Sequence, residues 1–162
     1  MSAKVIVTRK TREIPNVLRR EFTRAMKLAV VHLEGEVKKK TPINFGMLRK
    51  SIVSHTKFNP LRGEVFATMP GRAYVDYVEF GRKAGKQPPS GTGSSLRLWV
   101  RRKLKLSGSA LATATFLIAR AIGKRGTKPV KMFKNTEEQE RNKVMRMFKE
   151  AIKRVERKSS DG

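Results

Sequence analysis

The chain has no cysteine, two histidines, one tryptophan and only 13 acidic residues among 162. The missing cysteine excludes a disulfide framework and any thiolate metal site, and it is compatible with a reducing cytoplasm. His32 and His55 fall on different predicted elements, with no carboxylate at ligand spacing, so a zinc site is not expected. Long apolar runs are missing too. The most apolar stretch, "ALATATFLIARAI", is shorter than the roughly 20 residues of a membrane span and carries Arg120 near its end. The N-terminal "MSAKVIVTRK" contains a three-residue apolar run, too short for a signal-peptide core, which argues against secretion.

What is abundant is positive charge. Thirty-eight Lys and Arg give a formal net charge of +25 and a pI near 11.3. Such a chain attracts polyanions and repels copies of itself. The excess is concentrated: from Phe80 to Thr136 there is no Asp or Glu, whereas fourteen Lys and Arg accumulate there.

Apolar periodicity supplies the elements. Leu18, Phe22, Met26, Ala29, Val30, Leu33 and Val37 recur at intervals of three and four, predicting a helix from Pro15 that ends at Thr41-Pro42. Strand character around Leu48 to Lys57 and Arg62 to Thr68, interrupted by "FNPLRG", predicts a hairpin. Tyr74 to Phe80 fits either a strand or a helical turn. "LRLWVRRKLKL" reads as a short helix with Leu96, Trp99, Val100 and Leu104 on one face. A second follows with Ala114, Leu117, Ile118, Ala121 and Ile122 inward, Gly123 or Gly126 closing it. Thr136 to Gln139 matches a capping box, after which Val144, Phe148, Ala151, Ile152 and Val155 form the stripe of a last helix ending near Lys158. The sum is an α+β domain: a long N-terminal helix and C-terminal helices packed on a small antiparallel sheet. One domain is expected over 1–158, with a flexible arm at 81–95 rich in Gly, Pro and Ser, and a disordered tail at 159–162.

Catalytic constellations are scarce. "GRKAGKQ" has the wrong glycine spacing for a phosphate loop and Gln87 where a metal-binding hydroxyl belongs. Asp76 and Glu79 could serve as acid and base, but without a third partner a structural role is the simpler reading, with Glu79 paired to an Arg. Trp99 beside Arg97, Arg101 and Arg102 suits base stacking, although its period fits core packing better. No catalytic residue, metal ligand or cofactor is assigned.

Three stretches in order, "TPINFGMLRKSI", "YVDYVEFG" and "GTKPVKMFKNT", resemble the tail-completion, or neck, proteins of long-tailed bacteriophages, the group that includes minor tail protein Z. Pro42, Gly46, Leu48, Ser51 and Ile52 match the first family motif, and Tyr74, Tyr77, Val78, Glu79 and Gly81 the second. Asn44-Phe45 stands where Asp-Thr is usual. The resemblance implies a non-enzymatic virion protein, assembled in the host cytoplasm into a ring, hexamer favoured, at the head-tail junction or the top of the tail. Its partners would be further copies, neck, tail-terminator or tail-tube proteins, and DNA passing through the channel, with no membrane partner. On this view Tyr74, Tyr77, Glu79, Gly81, Arg82, Lys83 and Lys86 form the assembly interface and launch the arm, while Arg97, Arg101, Arg102, Lys105, Lys124, Arg125 and Lys128 are the candidate DNA-facing cations. The alternative is a basic nucleic-acid-binding protein indifferent to base sequence.

Overall fold

A computed structural model describes residues 5–8, 16–43, 46–59, 61–69 and 71–160. The elements run β1 (Val5–Thr8), α1 (Asn16–Lys40), α2 (Met47–Ser51), β2 (Ile52–Phe58), β3 (Leu61–Ala67), α3 (Arg72–Phe80), α4 (Ser95–Leu104), α5 (Gly108–Arg125) and α6 (Met132–Ser160). They fall into two compact units: Met1–Glu79 with Lys131–Gly162, and Phe80–Val130. The α+β expectation of a long N-terminal helix, C-terminal helices and a small antiparallel sheet is met.

In the first unit the stripe predicted along α1 is the one that is buried, with Phe22, Met26, Ala29, Val30, Leu33 and Val37 in the core and Leu18 partly covered. Three antiparallel strands lie in the order β1-β3-β2, so β3 is central, Val5 opposing Val65 and Ile52 opposing Ala67. Alternate residues of β3, Leu61, Gly63, Val65 and Ala67, are buried, the period-two pattern of a sheet with one covered face. Gly63 sets how closely α1 approaches: a Cβ there would come within 2.3 Å of Val30 Cγ1 and 2.7 Å of Met26 Sδ. α6 packs along α1, where the rings of Phe22 and Phe148 lie 5.9 Å apart.

Three details depart from the sequence reading. The strand expected from Leu48 begins at Ile52, because Gly46, left-handed at φ 73°, opens a helical turn closed by Lys50 N donating to Gly46 O and Ser51 Oγ donating to Leu48 O. β1 adds an edge strand to the predicted hairpin. Thr136 does not cap a helix. It lies inside α6, its hydroxyl donating to Met132 O one turn back. α6 continues through Ser159 and Ser160, and residues 161–162 lie outside the described residues.

Polar side-chain contacts tie α1 to α6 at two points. His32 Nε2 is 2.7 Å from Glu140, and buried Glu21 takes hydrogen bonds from Lys158 Nζ at 2.6 Å and Arg154 Nε at 3.0 Å. The Lys158 bond first, then that of Arg154, hold the Glu21 carboxyl at about 2 against its ordinary 4.5, outweighing the opposing effect of burial. A carboxyl whose value is depressed in the folded state stabilises fully above its unfolded value, and that stabilisation is lost as pH falls through the folded one. Resistance to urea should therefore decline as pH drops from about 4.5 toward 2. Glu21→Gln should be less stable than the wild type at neutral pH and converge with it near pH 2. Parallel curves across that window would show that the pair contributes nothing to the folded state.

Candidate functional site

The motif "YVDYVEFG" forms α3, which settles the strand-or-helix ambiguity in favour of the helix. Val75 and Glu79, four residues apart, face inward, and Glu79 is only 2% exposed. Its partner is not an arginine. The carboxylate accepts Phe133 N at 2.9 Å and Lys134 N at 3.0 Å, in the first turn of α6, while Glu79 O accepts Lys131 N at 3.1 Å. A helix start leaves unpaired N–H groups and a partial positive charge, and a carboxylate from another element satisfies both. Glu79 therefore caps α6 from a distance and clasps Lys131, with both residues at the points where the chain leaves and re-enters the first unit. Named among the interface residues, Glu79 lies in the interior of its own chain, its carboxylate bonded to the α6 backbone.

Directly after it the chain turns at Gly81, φ 75°, into the second unit. Arg82 and Thr127 form an antiparallel bridge: Arg82 N donates to Thr127 O and Oγ1, and Thr127 N donates to Arg82 O at 2.8 Å. Gly85 N reaches Gly123 O at 2.7 Å, and the Arg82 guanidinium donates to Lys86 O. The first half of the 81–95 segment is thus stitched to the end of α5, and its other end carries Ser94, whose hydroxyl caps α4 by accepting Arg97 N.

The sequence-predicted interface residues separate into different settings. Tyr77 is 56% exposed, and Lys83 and Lys86 are exposed, whereas Arg82 is half-buried and engaged in the loop. Tyr74 lies on α3 with its side chain outside the described residues, as are Asn44 and Phe45 of the first motif.

All seven candidate DNA-facing cations lie in the second unit. Arg101, Arg102, Lys105, Lys124, Arg125 and Lys128 are exposed and Arg97 is half-buried. Several stand at the C-terminal turns of α4 and α5, where the helix dipole favours positive charge. Of the face predicted for α4 only Val100 is fully buried: Leu96 and Trp99 are half-buried and Leu104 is 49% exposed.

The inward face predicted for α5 is out of phase. Leu111, Thr115, Ala119 and Gly123 are buried, Leu117 is 55% exposed, and Ala114, Ile118, Ala121 and Ile122 are half-buried. Gly123 explains the choice: a Cβ there would meet Gln87 Cγ at 2.5 Å, so only the glycine-bearing face admits the returning loop. Phe116 and Leu117 are exposed as a result; Leu117 was expected to face inward and Phe116 was not singled out, because a helix apolar on nearly every side carries little phase signal.

Among the described residues no group of three His, Cys, Asp or Glu could hold a metal ion. No single described helix is long and apolar enough to cross a membrane, and α4 and α5, which together reach that length, are bent by 117°.

No curated protein and no solved structure gives a match to the chain. Residues 7–81 match the family model for HK97-gp10-like proteins, described as "Bacteriophage HK97-gp10, putative tail-component". The matched region covers somewhat less than half of the chain, running from β1 through α3 to Gly81, and stops where the acid-free unit begins. It supports a structural role in a phage tail and virion association, in company with other tail or neck proteins. Over residues 7–81, therefore, the chain is similar to the HK97-gp10-like bacteriophage tail-component family, in keeping with the tail-completion motifs of its sequence.

Proposed function

We propose that the protein is a non-enzymatic structural component of a long-tailed phage, assembling as a ring at the head-tail junction or the top of the tail, with six copies as the favoured number. The observation that carries this reading is the family match over 7–81, a region in which the buried Glu79 is committed to holding the start of α6. Localisation in the virion, assembly in the host cytoplasm and contacts with tail-terminator or tail-tube proteins belong to the same proposal, as does a single functional domain over 1–158. So does an 81–95 arm that becomes ordered on a neighbour. Its stretch Pro89 to Gly93, exposed except for half-buried Ser90, is the portion that fits this best, being rich in glycine and bare of apolar side chains other than proline.

Charge controls the assembly. Each copy brings +25, and at low salt, where screening extends over tens of ångströms, such copies repel. Native mass measurement across protein concentration and salt, with and without DNA, is the test. The expected result is a species of six times the 18.4 kDa chain, favoured by added salt or a polyanion. A protein that stays monomeric under every one of these conditions removes the ring.

The second reading, a nucleic-acid-binding protein that need not form a ring, is favoured by one observation: the complete absence of acid from Phe80 to Val130.

A further inference from the structure

We propose that Phe80–Val130 is a nucleic-acid-binding element that grips the phosphate backbone, and that the rest of the chain, although equally positive, does not share this task. The two halves of the charge differ in kind. The unit holds twelve Lys and Arg and no acid, and the remaining residues supply the other +13 of the +25 with all 13 acids among them. In that remainder acids stand among the cations and hold several of them in ion pairs: Arg154 and Lys158 to Glu21, Lys38 to Glu34, Lys39 to Glu36, Arg62 to Glu64, Lys153 to Glu150. Within Phe80–Val130 no acidic side chain exists to do the same.

The cations also stand in order. Arg97, Arg101 and Lys105 recur every four residues along α4 and its C-cap, and Arg120 and Lys124 do so along α5, each step rising about 6 Å along a helix. Such rows suit a ligand that is itself a repeating line of charge. A DNA duplex carries one negative charge per roughly 1.7 Å of axis, and a protein gains affinity by displacing its counterions, whatever the base sequence. A second copy of this chain offers these rows no comparable line of negative charge, because both of its units are net positive. The proposal depends on the phage-tail reading only for its setting.

The experiment uses the full chain, a short fluorescent duplex in two unrelated sequences, and a sodium chloride series. One variant carries Arg101→Gln, Lys105→Gln, Arg120→Gln and Lys124→Gln. A matched variant carries Arg141→Gln, Lys143→Gln, Arg146→Gln and Lys149→Gln, all exposed on α6. All eight positions are at the surface and glutamine is a good helix former, so both variants should unfold near the wild-type temperature. Wild type should bind the two sequences equally. The first variant should lose about 0.9 of log-log salt slope per contact, three to four in all, and on the order of 10²–10³-fold in affinity at physiological salt. The α6 variant should change the slope by less than about one.

Equal losses in both variants would mean that the charge acts diffusely and the proposal is wrong. Wild-type slope in the first variant would also overturn it, and if ring formation fails in that same variant the charges serve an acidic protein neighbour. Native mass measured on each variant keeps the outcomes distinct: loss of DNA binding with an intact ring supports the proposal, and a chain that binds DNA as described but never forms a ring sinks only the ring.

Discussion

Replacing Glu79 by glutamine should lower the thermal midpoint by on the order of 10 °C, the largest loss expected from any single polar substitution in the first unit. Removal of a helix cap costs about 0.5–2 kcal/mol, and hydrogen bonds to a charged acceptor are each worth roughly 1.5–3 kcal/mol. Glutamine keeps one acceptor but turns its amide N–H groups toward the other of Phe133 N and Lys134 N, itself a donor, beside a side chain that is only 2% exposed. A total of about 2–3 kcal/mol follows. Because the bonds join α3 to the start of α6, hydrogen exchange should accelerate first at Phe133 and Lys134. Glu79→Asp, with the right chemistry and a shorter reach, should fall between. A glutamine variant that unfolds at the wild-type temperature would show that the cap is energetically idle, and would reopen the possibility of an exposed role for Glu79.

The second large effect is expected at Gly81. Gly46 and Gly81 share nearly the same left-handed conformation, φ 73° and 75°, so a side chain at either pays the same backbone penalty, about 1–2 kcal/mol. Their surroundings differ. Nothing lies within 4 Å of a Cβ built on Gly46, whereas one on Gly81 would come within 2.4 Å of Thr127 O and 2.9 Å of Pro129 N. Those atoms belong to backbone that is held by the Arg82–Thr127 bridge and cannot swing aside like a side-chain tip. Gly81→Ala should therefore cost a further 1–3 kcal/mol or so beyond Gly46→Ala, the range typical of overpacking. Chemical denaturation of the two alanine variants side by side isolates the steric part, since the conformational part cancels. Equal losses at the two sites would mean that the bridge yields, and that the entry into Phe80–Val130 is soft.

The residues that were legible in the sequence are those whose signal is local. The α1 stripe from Leu18 to Val37 could be read because polar residues fill the opposite face, so only one phase buries apolar surface. The β2–β3 hairpin showed itself through a turn flanked by two runs of strand formers. On α5 the same method chose the wrong face. Leu117 and Ile118 are as apolar as Leu111 and Ala119, and the phase was set by Gly123 receiving the loop at Gln87, a contact 36 positions away in sequence. β1 was passed over because four residues carry too little pattern to distinguish a strand from a tail, and it becomes one by pairing with β3 some 57 positions later.

Net charge, the acid-free stretch, the lack of thiols and the family motifs are sums or short strings, and the chain alone determined them. What Glu79 does was decided only by the tertiary structure. As the last acid before the basic segment it was conspicuous, and an arginine was the natural partner to expect from a sequence holding so many. In the fold the carboxylate lies against the start of a helix 54 residues away, where the N–H groups of buried Phe133 and of Lys134 would otherwise lack these acceptors. Every residue but proline carries such a group, so no side-chain pattern marks where one is left unpaired. That depends on which elements end together in space, and it is there that this chain uses the last acid before its basic segment.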